Sequence, residues 1–215
     1  MISTLVLDLD GPLLDVKRRH YQCYSDIMRE HEVEPVSMNF YWEMKRNRMD
    51  FRQLLALSHA ADLCDEFLSA WSQRIEIKEY LAMDMLQNRA KEILGDWKRS
   101  GMRLLLATMR THPDTLHWQL GELGIAHFLD EVIVAGGNQD GFGKAAGVKP
   151  HIDKKRLDEV VWIGDTEADV HAARLLKVKI CALSCGLRNE AYLSSMLPDM
   201  MEPDLSAFAC GMDKA

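Results

Sequence analysis

Two aspartates one residue apart close the first apolar run of the chain. In LVLDLDGPLLD, residues 5–15, Asp8 and Asp10 end a leucine- and valine-rich stretch and are followed at once by Gly11 and Pro12. Like charges repel, so the pair is either an ordinary polar strand end meeting solvent or a pair held there to bind a cation and do chemistry. The stretch alone does not separate the two readings. The placement of the other polar strand ends does.

Residues 3–9 read as a strand buried on both faces. MRLLLAT (102–108), EVIVAGG (131–137), VVWIGD (160–165) and KVKICALS (177–184) read as four more. HPDTLHWQLGELGI has a helical pattern, with Pro113 suited to its first position and Gly124 to its stop. TEADVHAARLL and LRNEAYLSSML are further helices. NQDGFGKAAGVKP reads as a glycine-rich loop, with Pro150 opening a short helix, PHIDKKRLDEV. PDMMEPDLSAF is expected to add an edge strand and a final helix, and the last few residues to be disordered. From Val16 to Trp97 apolar residues recur at helical spacing, as in Tyr21, Tyr24, Ile27 and Met28 or Phe51, Leu54, Leu55 and Leu57.

Outside that helical block, strand and helix alternate. The pattern predicts an α/β, Rossmann-like, doubly wound parallel sheet built from residues 1–15 and 98–215, with residues 16–97 inserted as a helical domain. Ligands of such sheets bind at the C-terminal strand ends, where the strand order reverses. Asp8, Asp10, Thr108 and Asp165 all stand at such ends, so they are expected to converge on one crevice.

In order and spacing these residues resemble the haloacid dehalogenase superfamily of phosphotransferases over nearly the whole chain. The first motif of that family, DxDG, matches Asp8-Leu9-Asp10-Gly11, and the second, a Ser or Thr ending an apolar strand, matches Thr108. The fourth, GDxxxD, matches Gly164-Asp165-Thr166-Glu167-Ala168-Asp169. The third is a lysine with two candidates: Lys149, before Pro150 as in the family's common Lys-Pro form, and Lys144 in GFGKAAG. The interval from Lys149 to the fourth motif is short for the family, which keeps Lys144 open.

The resemblance implies Mg²⁺-dependent phosphoryl transfer, in which a hard cation relieves the repulsion between a carboxylate and an anionic ester. It makes Asp8 the nucleophile that forms an aspartyl-phosphate, and Asp10 the acid and base for the leaving oxygen and the water. The metal set it implies is Asp8, the backbone carbonyl of Asp10, Asp165, and Asp169 directly or through water. Thr108 and the backbone N–H of Met109 would bond the phosphoryl group, and the lysine would neutralise it together with Asp8. An aspartate at position 10 speaks against dehalogenation, because the dehalogenases of this pattern protonate no leaving alcohol and lack it. Pro12 departs from the Thr or Val usual in the family and removes a backbone donor.

The helical block lies where the family carries its C1 cap, a lid that excludes water and selects the leaving group. The interval after Thr108 leaves no room for a second large cap. Within the block, His20, Lys45 and Arg48 are the substrate-binding candidates the resemblance suggests, while Trp42 and the pair Phe40-Tyr41 read as core. Arg110, two residues after Thr108, is expected to face an anionic group of the substrate. The expected substrate is a small-molecule phosphate ester, in the manner of phosphoglycolate phosphatase-like relatives. Alternatives are a sugar phosphomutase resembling β-phosphoglucomutase, a non-catalytic binding protein on the same fold and, more remotely, a phosphonatase.

Composition narrows the partners. With 47% hydrophobic and 27% charged residues, the 215-residue chain has the makeup of a globular protein. A formal charge of −7, with basic residues gathered only in short clusters such as 17–19 and 45–48, argues against a nucleic-acid polymer or an anionic membrane as partner. No stretch approaches the roughly 20 apolar residues of a membrane span, and the first residues lack the features of a signal peptide. Five cysteines without CxxC pairing are expected to be reduced thiols in a cytoplasmic protein.

Overall fold

The structure, a computed structural model, describes residues 2–136 and 141–212. The chain divides into two compact units, Met1–Asp15 with Leu86–Ala215, and Val16–Met85. In chain order, β1 (Thr4–Leu7) and β2 (Leu14–Asp15) come first. Five helices follow: α1 (Lys17–Glu30), α2 (Met38–Arg46), α3 (Phe51–Ala56), α4 (Cys64–Arg74) and α5 (Lys78–Leu81). Next are β3 (Met85–Leu86), α6 (Ala90–Arg99), β4 (Arg103–Thr108), α7 (Pro113–Glu122), β5 (Glu131–Val134) and α8 (Phe142–Val148). The chain closes with β6 (Val160–Gly164), α9 (Glu167–Leu176), β7 (Lys179–Leu183), α10 (Glu190–Ser195), β8 (Met200–Glu202) and α11 (Leu205–Met212).

Six strands form one sheet in the order β5-β4-β1-β6-β7-β8, with every neighbouring pair parallel. This is the expected doubly wound α/β sheet, and β1 sits at its centre because Leu5, Val6 and Leu7 are buried on both faces. The strand order grows outward one way through β4 and β5 and the other way through β6, β7 and β8, so it reverses beside β1. Leu7 pairs with Leu106 on one side and Ile163 on the other. Asp8 lies one residue beyond that level, and Thr108 and Asp165 lie two beyond it. On one face Val6, Leu105, Trp162 and Ile180 pack with Ala145 and Val148 of α8 and Val170, Ala172 and Ala173 of α9.

The Val16–Met85 unit has its own core. Cys23, Tyr24, Ile27 and Met28 of α1 meet Tyr41, Leu54, Leu55, Phe67 and Tyr80, the apolar stripe that the helical spacing anticipates. Trp42 packs against this cluster, while Phe40 is exposed. The unit ends at Met85, whereas the helical spacing carried the expected block on to Trp97. The difference is α6, whose Trp97 packs edge-to-face on Phe208 of α11 at 6.1 Å. Among the described residues no helix is long and apolar enough to cross a membrane.

The largest departure from the sequence reading is α8. The glycine-rich stretch that reads as a loop is a helix from Phe142 to Val148, and Pro150 stands at the start of a one-turn 3₁₀ segment, Lys149–His151, in place of the longer helix expected. Between that segment and β6 the described residues form one more such turn, Leu157–Glu159. Gly137 of the expected third strand, residues 138–140 of the expected loop, and residues 213–215 of the expected disordered tail lie outside the described residues. The small residues serve packing. A Cβ at Gly143 would lie 2.8 Å from the Ala135 carbonyl oxygen, and one at Gly147 2.6 Å from Ile133 Cγ2. Close approach to β5 therefore outweighs the low helix propensity of glycine.

Gly141 caps the start of α8 at φ +83°, where a Cβ would lie 2.4 Å from the Ala168 carbonyl oxygen. Gly101, at φ +80°, has open space around the same position. Gly101→Ala thus carries left-handed strain alone, about 1 kcal/mol, and Gly141→Ala adds a backbone clash of about 1–3 kcal/mol. Urea denaturation is expected to rank Gly141→Ala as clearly the less stable variant.

Candidate active site

Asp8 leaves β1 with its backbone N–H still donating to Ile163 O at 2.9 Å, so the carboxylate is fixed to the sheet at its root. Its Oδ1 accepts the Leu9 N–H at 2.8 Å and its Oδ2 meets Lys144 Nζ at 2.8 Å. Lys144, on α8 and 1% exposed, also reaches Asp169 Oδ1 at 2.7 Å. Asp8, Asp165 and Asp169 present carboxylate oxygens within 4.8 Å of one another, all buried.

The two carboxylates of the fourth motif are not equivalent. Asp169 is the third residue of α9 and forms a capping box with Thr166, so helix capping sets its side-chain direction. Its Oδ1 accepts from Lys144 and from the indole N–H of Trp162 at 3.1 Å. Its Oδ2 accepts from the backbone N–H of Asp165 and Thr166 and from the Thr166 hydroxyl. Asp169 is therefore already occupied by five donors. Asp165 accepts the Leu187 N–H on Oδ2 at 2.5 Å, and its buried Oδ1 has no hydrogen-bond partner among the described residues.

Electrostatics point the same way. Burial, then the neighbouring Asp169, pushes Asp8 up to about 7 although Lys144 pulls it down. Burial, then Asp8 and Asp169, raises Asp165 well above the usual carboxylate range. Burial would push the Lys144 ammonium down, yet Asp169 and Asp8 outweigh it and hold its pKa above the ordinary lysine value. Three carboxylates share one ammonium. An oxygen-only set with one open, buried carboxylate oxygen fits a hard divalent cation.

Between the two lysine candidates the geometry favours Lys144. Lys149, the lysine of the Lys-Pro form, is exposed in the one-turn segment after α8, and the contacts to Asp8 and Asp169 are made by Lys144. Thr108 is buried at the end of β4, with Met109 half-buried beside it. Arg110, expected to face an anionic group of the substrate, is buried: its Nε and Nη2 grip both oxygens of Asp10 at 3.0 and 2.7 Å, and Gln119 of α7 accepts from Nη2 at 3.3 Å. The Asp10 side chain is thus bound to an arginine and stands outside the three-carboxylate cluster.

Gly11 turns the chain at φ +104°, where a Cβ would overlap Asp165 Oδ2 at 2.0 Å. The turn uses the N–H groups of Gly11, Leu13 and Leu14, so Pro12 removes none of its bonds. His20, Lys45 and Arg48 belong to the other unit. His20 lies 5.5 Å from the Trp71 ring and Lys45 Nζ 5.5 Å from the same ring, while Arg48 is exposed at φ +62°. Trp162, the Leu187 N–H and the pairing of Arg110 with Asp10 were not anticipated. Tryptophan in an apolar strand reads as core, and a backbone donor leaves no mark in a sequence.

No curated protein matches the sequence. Among solved structures the fold is similar to a haloacid dehalogenase-like hydrolase from Streptococcus pneumoniae, at 20% identity and TM-score 0.75, covering 97% of each chain. It is similar to a predicted phosphoglycolate phosphatase from Haemophilus somnus at 17% identity and TM-score 0.74, covering 99% of this chain and 97% of that one. It is also similar to a β-phosphoglucomutase candidate from Thermotoga maritima at 15% identity and TM-score 0.71, covering all of both. At these identities the likeness establishes the fold. The family model for haloacid dehalogenase-like hydrolases matches residues 2–176, and the chain belongs to that family.

Proposed function

We propose that the protein is a Mg²⁺-dependent phosphatase that hydrolyses a small phosphorylated metabolite through a phosphorylated Asp8. The observation that carries this reading is the buried pairing of Asp8 with Lys144, beside Asp165 and Asp169. Asp8 attacks phosphorus, the bond to the leaving oxygen breaks, and Asp10 gives that oxygen its proton. Water then attacks the phosphorus of the aspartyl-phosphate, Asp10 takes a proton from it, and orthophosphate leaves. Arg110 grips Asp10 through both oxygens, so that pair opens when Asp10 carries a proton. Lys144 offsets the charge of Asp8 and of the incoming phosphoryl, and Thr108 with the Met109 N–H bonds the phosphoryl oxygens. Asp8, Asp165 and the Asp10 backbone carbonyl, with Asp169 directly or through water, would hold Mg²⁺, which would supply charge neutralisation between the two anions.

The Val16–Met85 unit is proposed as the lid, with His20, Lys45 and Arg48 as its substrate-facing groups. A small-molecule ester is favoured over a polymer because the net charge of −7 repels nucleic acid. Five free cysteines agree with a cytoplasmic protein. A phosphomutase is the second reading, favoured by the likeness to the β-phosphoglucomutase candidate and by His20 and Lys45 gathering at Trp71. A requirement for a bisphosphate primer separates it from a hydrolase.

The test is a panel of phosphate esters assayed for phosphate release with Mg²⁺. Asp8→Asn is expected to lower kcat at least about 10³-fold, and undiminished turnover in that variant removes Asp8 as nucleophile. In the same panel Lys144→Ala is expected to lose about 10²-fold or more in kcat, and Lys149→Ala to match the wild type. The reverse ranking would return the third motif to Lys149.

A further inference from the structure

Asp165 can serve a cation only if its open oxygen stays aimed, and the chain that aims it is the loop after β7. Ser184 anchors that loop through its N–H to Glu202 O at 3.0 Å, and Asn189 closes it by capping α10. Between them Gly186 packs so tightly that a Cβ would lie 2.0 Å from Asp165 Oδ2 and 2.8 Å from Gly11 Cα. The next N–H, that of Leu187, takes Asp165 Oδ2 at 2.5 Å and so leaves Oδ1 as the open atom.

What holds Leu187 in place is the residue after it. Arg188 Nη1 donates to the Leu187 carbonyl oxygen at 3.1 Å. The same guanidinium reaches across to Glu167, Nε to Oε2 and Nη2 to Oε1, both at 2.8 Å. Glu167 is two residues beyond Asp165 and is the first residue of α9. The pair therefore joins the two chain segments that flank Asp165, the motif turn and the loop after β7. Its side chains are only 16% and 18% exposed, so water screens it less than a surface pair. A two-pronged bond also fixes orientation, which a lysine in place of the arginine would not do.

We infer that Arg188 and Glu167 form a clamp that positions Asp165 for its cation. The inference rests on the metal-dependent reading above and adds Arg188, outside every motif, and Glu167, a variable position of the fourth motif to which the resemblance gives no role. Arg188 and Glu167 are positioning residues: they act through Leu187 and Asp165 and touch neither substrate nor metal. Partners that orient a metal ligand typically change metal affinity by about 10–100-fold when removed.

The test titrates Mg²⁺ into the full chain and follows the melting temperature, which needs no substrate. Arg188→Ala and Glu167→Ala are each expected to raise the midpoint Mg²⁺ concentration about 10-fold or more. The double variant should lie within about threefold of the worse single one, because both break the same pair. Glu167→Gln keeps the shape of the side chain and is expected to shift the midpoint by at least about threefold in a folded protein. Arg156→Ala, which breaks the more exposed pair with Glu159, should leave it unchanged. Midpoints within twofold of the wild type for Arg188→Ala and Glu167→Gln overturn the clamp while the metal reading stands. A wild type whose melting temperature ignores Mg²⁺ overturns the metal reading and the clamp with it.

Discussion

Three carboxylates and one ammonium share a volume almost closed to water, and the rest of the molecule is arranged around that imbalance. Lys144 bridges Asp8 and Asp169 at 2.8 and 2.7 Å. Removing one partner of such a buried pair typically costs about 3–5 kcal/mol, because the other charge is left without compensation. Lys144 can answer for only part of the negative charge. Asp8 and Asp165 both hold their protons more tightly than ordinary carboxylates, and burial leads the causes in each. A site so poised gains from any added positive charge.

The sheet and its flanking helices supply the positions. Parallel strands in register bring Asp8, Thr108 and Asp165 to the same edge, next to the place where the strand order reverses. α8 must lie close to β5 for Lys144 to reach Asp8, and Gly143 and Gly147 permit that approach. Around Asp165 the fit is closer still, with Gly11 on one side and Gly186 on the other. Even the core contributes: Trp162, fully buried on β6, turns its one polar atom toward Asp169. Stability and chemistry here draw on the same contacts.

How much of this was legible in the sequence depended on what kind of signal each part leaves. Asp8 and Asp165 were readable because each ends an apolar run in a chain whose strands and helices alternate, and topology then dictates convergence. Lys144 was harder, since local propensity reads its glycines as loop, and packing against β5 overrides propensity. Lys149 attracted attention through its proline, and Pro150 does begin a helical segment, but one of a single turn after α8 has ended. Arg110 was recognised as lying beside the crevice, but a sequence cannot say that Asp10 already occupies it. The boundary of the helical unit was placed twelve residues late because α6 continues the same helical periodicity while burying its face against α11.

The central claim is that Asp8 carries the phosphoryl group. Its most direct measurement is to incubate the enzyme with Mg²⁺ and a reactive donor such as acetyl phosphate, quench in acid, and reduce with borohydride. Acyl phosphates are reduced under these conditions and free carboxylates are not, so peptide mass spectrometry then locates the modified aspartate. The account predicts one reduced residue, Asp8, appearing with the donor and absent without it. Turnover of the donor with Asp8 unmodified, or a label that maps to another residue, would contradict it.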